Sequence, residues 1–173
     1  MAVSVETLVV GPLQANCYIV WCDETNRAVV IDPGGDGAYI LASLKQLGVR
    51  VDSIVNTHGH VDHIGANAEV KEGTGAELLV HEDDAPLLTS RIANLAAFTG
   101  ACVRGVPPDR TLREGDVISA GGVSLRVLHT PGHTKGGISL VGHGAVFTGD
   151  TLFAGSIGRT DLPGGSYSAL IAS

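Results

Sequence analysis

The segment Thr57-His58-Gly59-His60-Val61-Asp62-His63 constrains this chain more than any other. Three imidazoles and one carboxylate fall within six positions, directly after an apolar stretch, 51–55, that reads as a β-strand. Gathering so many titratable groups at a strand end is costly unless an ion compensates them. Neutral imidazole and carboxylate suit zinc, iron or manganese, and the lack of a thiolate argues against a closed structural zinc site. A helix would turn positions i and i+2 to different faces, so the segment is expected to be a loop. In a loop, His58 and His60 can turn one way while Asp62 and His63 turn another, serving two adjacent metals.

Two later segments share this design. Thr130-Pro131-Gly132-His133-Thr134 follows an expected strand at 123–128, and Gly149-Asp150-Thr151 follows one at 145–148. His133 and Asp150 therefore sit on turns held by strand ends, where a sheet scaffold presents its active-site ligands. Either turn alone would be unremarkable as a structural feature. Beside the first cluster, the two complete a metal site.

The rest of the chain supplies the scaffold. Apolar, β-rich runs at 3–10, 16–21 and 28–31 are separated by Gly11-Pro12 and the turn 23–26, which predicts an antiparallel meander. Asp36 is placed to cap a helix with Ile40, Leu41, Leu44 and Leu47 on its apolar face and Gly48 at its end. Beyond the histidine cluster come a short helix to about Lys71, a strand at 77–80 and a weakly charged helical region at 83–99. Strands at 117–119, 123–128, 137–141 and 145–148 follow. The order predicts an α/β domain, with sheets packed face to face and helices outside. No repeat or composition break divides residues 1–173, so one domain is expected.

THGHVDH, TPGHT and GDTLF, in this order and spacing, resemble the metallo-β-lactamase superfamily. VGPLQANCYIV and GRTDLPGG resemble its glyoxalase II-like branch, the small bacterial hydroxyacylglutathione hydrolase-type proteins. The resemblance implies a four-layer αβ/βα sandwich with two divalent metals at one edge, zinc expected first and iron or manganese as alternatives. It implies that His58, His60 and His133 bind one metal, that Asp62 and His63 bind the other, and that Asp150 bridges them. A water shared by the ions would attack a thioester carbonyl such as that of S-hydroxyacylglutathione, with Asp62 orienting it. Asp32, at a strand end, either supports a ligand histidine or caps its own turn.

Three departures from the family pattern stand out. No histidine follows Asp150, whereas the family has one more second-metal histidine on a later strand. The expectation is a chain that stops short of that final helix, strand and ligand, inside a young helix at 166–172. His143 lies between two strands at hairpin spacing and reads as an exposed turn residue. His81 and His129 read as structural strand-end residues. Arg159 falls where the family has a substrate-binding lysine, but Asp161 stands where it has a tyrosine, so the glutathione contact rests on Arg159 alone.

Charge and composition narrow the partners. A net charge of −7 with no basic stripe disfavours nucleic acid and anionic membrane. No apolar stretch reaches the ~20 residues of a membrane span, and the first ten residues lack a signal-peptide pattern. Cys17, Cys22 and Cys102 fit no metal spacing and read as buried free thiols of a cytoplasmic protein. The partner is a small-molecule thioester; oligomeric state is left open. Two other readings compete: a mono-iron persulfide dioxygenase needing only His58, His133 and Asp150, and a metal-binding module without turnover.

Overall fold

The computed structural model describes residues 2–173. The chain opens on three antiparallel strands, β1 (Val3–Val10), β2 (Ala15–Cys22) and β3 (Arg27–Ile31). Helix α1 (Gly37–Leu47) leads to β4 (Arg50–Val55), which pairs parallel with β3. Two short helices, α2 (Val61–Ile64) and α3 (Asn67–Thr74), precede β5 (Glu77–His81), which adds parallel to β4. A 3-10 turn (Ala85–Leu88) and the one-turn helix α4 (Ala96–Thr99) lie on the way to β6 (Arg110–Leu112), the last strand of this six-stranded sheet.

The second sheet is antiparallel, built from β7 (Val117–Ala120), β8 (Val123–His129), β9 (Ile138–Gly142) and β10 (Ala145–Phe147). A small ribbon of β11 (Leu152–Phe153) and β12 (Ser156–Ile157) follows, and α5 (Tyr167–Ala172) ends the chain with Leu170 seated against the Gly132 turn.

Strand parity explains the layers. Ala28 and Val30 of β3 face α1 and α3, where they pack in one core with Ile40, Leu44 and Val70. Val29 and Ile31 point the other way, into a second core with Ile118, Leu125 and Leu140 of the antiparallel sheet. A strand covered on both faces has no need of polar alternation, hence the unbroken run Ala-Val-Val-Ile. The arrangement is the expected one of facing sheets with helices outside, and it brings the ends of β4, β8 and β10 to one edge.

Several local expectations are corrected. Asp36 precedes α1 but does not cap it: its backbone is left-handed (φ 51), and Oδ2 instead accepts the Gly11 N–H at 2.8 Å, tying down the β1–β2 turn. Gly48 does close α1, at φ 68. The histidine segment is not all loop, because α2 begins at Val61 with extended His60 as its first flanking residue. The 83–99 region is mostly turns, since buried Asn94 bonds locally, donating to Leu87 O and accepting from Ala96 N–H, both at 3.0 Å. β6 and the β11–β12 ribbon were too short to show as patterns. Cys17 and Cys22 are buried free thiols, but Cys102 is exposed.

Candidate metal centre

Six side chains separated by up to 92 positions in the chain converge at the strand-end edge. His58 and His60 come from the loop after β4, and Asp62 and His63 from the first turn of α2, which swings them to the other side. His133 lies between β8 and β9, and Asp150 just after β10. Donor atoms of His58, His60 and His133 lie within 4.8 Å of one another, as do those of His58, His63 and Asp150. His60 Nδ1 is 2.9 Å from His133 Nε2. Asp150 straddles the two groups, with Oδ1 3.2 Å from His63 Nε2 and Oδ2 3.5 Å from His133 Nε2. Asp62 Oδ2 is 3.6 Å from His63 Nε2.

The surroundings decide which nitrogen is free on three of the four rings. His133 Nδ1–H donates to the carbonyl of Arg159 at 2.8 Å, leaving a lone pair on Nε2, 2.9 Å from His60 Nδ1. His63 Nδ1–H donates to Asp32 Oδ2 at 3.0 Å, which leaves its Nε2 facing Asp62 and Asp150. The Thr57 hydroxyl donates to Asp32 Oδ2 at 2.6 Å, so it can only accept from His58 Nδ1–H, 3.2 Å away. His58 Nε2 is then a buried lone pair with no hydrogen-bond partner. Asp32 also accepts the Thr57 N–H through Oδ1 at 2.7 Å. It therefore sits behind two candidate ligand histidines, His63 directly and His58 through Thr57, while holding a left-handed backbone (φ 52).

Electrostatics divide the rings into two kinds. Burial, and then the neighbouring imidazoles, hold His58 well below the usual histidine range. Burial and His133 bring His60 down to about 4. Both rings are thus neutral and ready to donate at physiological pH. Burial also pulls on His63, but Asp32, Asp150 and Asp62 outweigh it and push this ring well above its ordinary value. For Asp150, burial raises and the bond and charge of His63 lower, with a net shift downward.

These residues fit a metal. Two nitrogens about 2.0–2.1 Å from a tetrahedral ion sit roughly 3.3 Å apart; His60 Nδ1 and His133 Nε2 are 2.9 Å apart, and the carboxylates of Asp62 and Asp150 lie 3.2–3.6 Å from ring nitrogens. A buried lone pair with no partner, as on His58 Nε2, is costly to retain for structure alone. Beside the cluster opens a cavity of about 430 Å³, lined by Asp32, Asp62, His63 and Asp150 together with Gln14 and Phe153.

The other candidates fall elsewhere. The exposed Arg159 guanidinium is engaged by Asp161, Nε to Oδ1 at 2.8 Å and Nη2 to Oδ2 at 2.7 Å, while its main-chain carbonyl is what touches the centre. His143 is an exposed turn residue whose Nε2 accepts the Ser124 N–H at 2.9 Å. His81 and His129 stack face to face, centroids 4.2 Å apart and 9° from parallel. With exposed Asp83 their donor atoms lie within 4.8 Å of one another, but the two rings lie in parallel planes rather than turned towards one point. Thr57, the Arg159 carbonyl and the buried Asn56–Asn67 pair, whose Asn56 donates to His63 O at 3.0 Å, went unnoticed in the sequence. Nothing in a string of residues marks a carbonyl or an amide as part of a distant site.

This combination of a mixed sheet facing an antiparallel one and a histidine–carboxylate edge defines a class of metal-dependent hydrolases. The sequence matches the Metallo-beta-lactamase superfamily over residues 10–173, and the chain belongs to that superfamily. It is 37% identical to hydroxyacylglutathione hydrolase GloC of Haemophilus influenzae, over 98% of this chain and 82% of that protein. Among solved structures, the BLEG-1 B3 metallo-beta-lactamase superposes with a TM-score of 0.92 at 34% identity, covering 98% of this chain and 82% of its own. TTHA1623 in a di-iron-bound form gives a TM-score of 0.85 at 37% identity, covering 96% and 82%. The fold is the αβ/βα sandwich.

Proposed function

We propose that this protein is a dinuclear metal hydrolase of small-molecule thioesters, of the S-hydroxyacylglutathione type. His58, His60 and His133 would hold one divalent ion, Asp62 and His63 the other, and Asp150 both. The observation that carries the reading is Asp150 poised between His63 and His133, with Nδ1 of both rings held by an acceptor so that Nε2 of each faces inward. Zinc is the expected metal, and iron is kept in view by the di-iron relative. Bound divalent ions supply Lewis acidity, polarising a carbonyl and making water a nucleophile near neutral pH.

The chain's own residues complete the chemistry. Asp62, a quarter exposed beside the cavity, can hold a proton of the attacking water at Oδ2 and orient it. A thiolate leaves without prior protonation, so the site needs no dedicated acid facing the leaving group. Arg159 can meet a substrate carboxylate only by exchanging its Asp161 partner, which predicts weak recognition of the glutathione part. Cytoplasmic placement belongs to the same reading and is supported by unpaired Cys17, Cys22 and Cys102. No helix among the described residues is long and apolar enough to cross a membrane.

The test is a panel of S-hydroxyacylglutathione, lactone, β-lactam and phosphodiester substrates on zinc-loaded protein. Thioester turnover should dominate and vanish on chelation. Preferential β-lactam hydrolysis would reassign the substrate, and oxygen uptake on glutathione persulfide by iron-loaded protein would favour the dioxygenase reading. A tightly metallated chain that turns over none of them would be a binding module.

A further inference from the structure

The loops carrying His58, His60 and His133 belong to different sheets, so something must set their separation. One buried carboxylate touches both. Asp84, 1% exposed, accepts the N–H of Gly59, between His58 and His60, through Oδ2 at 2.9 Å. Its Oδ1 accepts the N–H of Gly136, three residues beyond His133, at 2.7 Å. Asp84 is itself fixed, since its N–H donates to His81 O at 3.0 Å and its carbonyl accepts from Leu87 N–H at 2.9 Å. Both loops approach so closely that only glycine fits: a Cβ on Gly136 would lie 2.6 Å from Asp84 N, and one on Gly59 would lie 2.5 Å from Leu87 Cβ.

We propose that Asp84 is a positioning residue that clamps the two ligand loops and so sets the His60–His133 spacing on which the first metal's affinity depends. The inference rests on the metal-centre reading of the proposed function. Neither oxygen of Asp84 meets a ligand side chain. Both grip backbone amides, one between His58 and His60 and one three residues past His133, so the link does not depend on the rotamers of those histidines. Charge-assisted bonds to amides are short and strong, and a buried carboxylate that lost one amide would leave both partners unsatisfied.

Asp84→Asn keeps the size but leaves one acceptor oxygen, because its NH2 must confront either Gly59 N–H or Gly136 N–H. Zinc affinity, read by competition with a chromogenic chelator, should fall about 10- to 100-fold. Hydrogen exchange in zinc-free protein should rise in peptides covering 57–60 and 132–138. Asp109→Asn is the control, since Asp109 also accepts a backbone N–H, that of Leu78 at 2.7 Å, on the same sheet but away from the ligand loops. It should lower thermal stability while leaving zinc affinity and both peptides unchanged. If Asp84→Asn binds zinc as the wild type does, or Asp109→Asn weakens zinc equally, the clamp is refuted while the metal centre stands. A wild-type chain that holds no zinc would overturn both.

Discussion

Replacing Thr57 by valine should weaken the first metal through a ring it never displaces. Thr57 is 1% exposed and valine matches its shape, so the change removes little but the hydroxyl. That hydroxyl makes two contacts, donating to Asp32 Oδ2 at 2.6 Å and accepting from His58 Nδ1 at 3.2 Å. A hydrogen bond to a charged group contributes about 1.5–3 kcal/mol, and the new methyl returns about 0.8 kcal/mol through burial. Net destabilisation of about 1–2 kcal/mol corresponds to a fall in Tm of roughly 2–8 °C for a domain of this size. The larger consequence is at His58. Metal binding at Nε2 requires the proton on Nδ1, which in the variant has no acceptor. Leaving that buried donor unpaired costs about 1–3 kcal/mol, so zinc should bind roughly 5- to 150-fold more weakly. Chelator competition at fixed pH reads the affinity, and thermal unfolding of zinc-free protein reads the stability. Thr57→Ser, which keeps the hydroxyl, should bind zinc nearly as the wild type does. Equal zinc affinity in Thr57→Val and wild type would falsify the relay from Asp32 through Thr57 to His58.

Further expectations follow from the same geometry. His58→Ala or His133→Ala should remove most first-site metal in native mass spectrometry, because neither position can be filled by a neighbouring donor; undiminished metal in both would contradict the assignment. Gly149→Ala should lower both Tm and zinc affinity, since Gly149 sits at φ +49 and an added Cβ would lie 2.3 Å from Thr57 Oγ1. His143→Ala should cost about 1 kcal/mol or less in denaturant unfolding and leave metal content unchanged, because the exposed ring holds only the Ser124 N–H. In native protein one thiol, Cys102, should react with an aqueous disulfide reagent. Cys17 and Cys22 should react only after unfolding, burial having pushed the Cys17 thiol far up.

Much of this protein could be read from its residues because the relevant signals are local. A strand buried on both faces must be apolar throughout, so 28–31 announced itself, and candidate donors spaced within one segment, as in His58 to His63, are visible together. The chain therefore carried its class openly, and its candidate donors stood in plain view. What it could not carry was the wiring between segments. Whether His63 offers Nε2 or Nδ1 depends on Asp32, thirty-one positions away, and His133 is oriented by the carbonyl of Arg159, twenty-six positions on. Asp84 reads as one of an acidic run, Glu82-Asp83-Asp84, until packing buries it against Gly59 and Gly136. Asp36 sits where a helix cap belongs, yet the closeness of the β1–β2 turn gives its oxygen a better donor. These outcomes turn on which polar group lies within about 3 Å once two sheets have closed on each other. Hydrogen bonds are short-ranged and directional, so a donor's partner is chosen by the packed fold, while hydrophobic pattern and ligand chemistry are already written in the order of the residues.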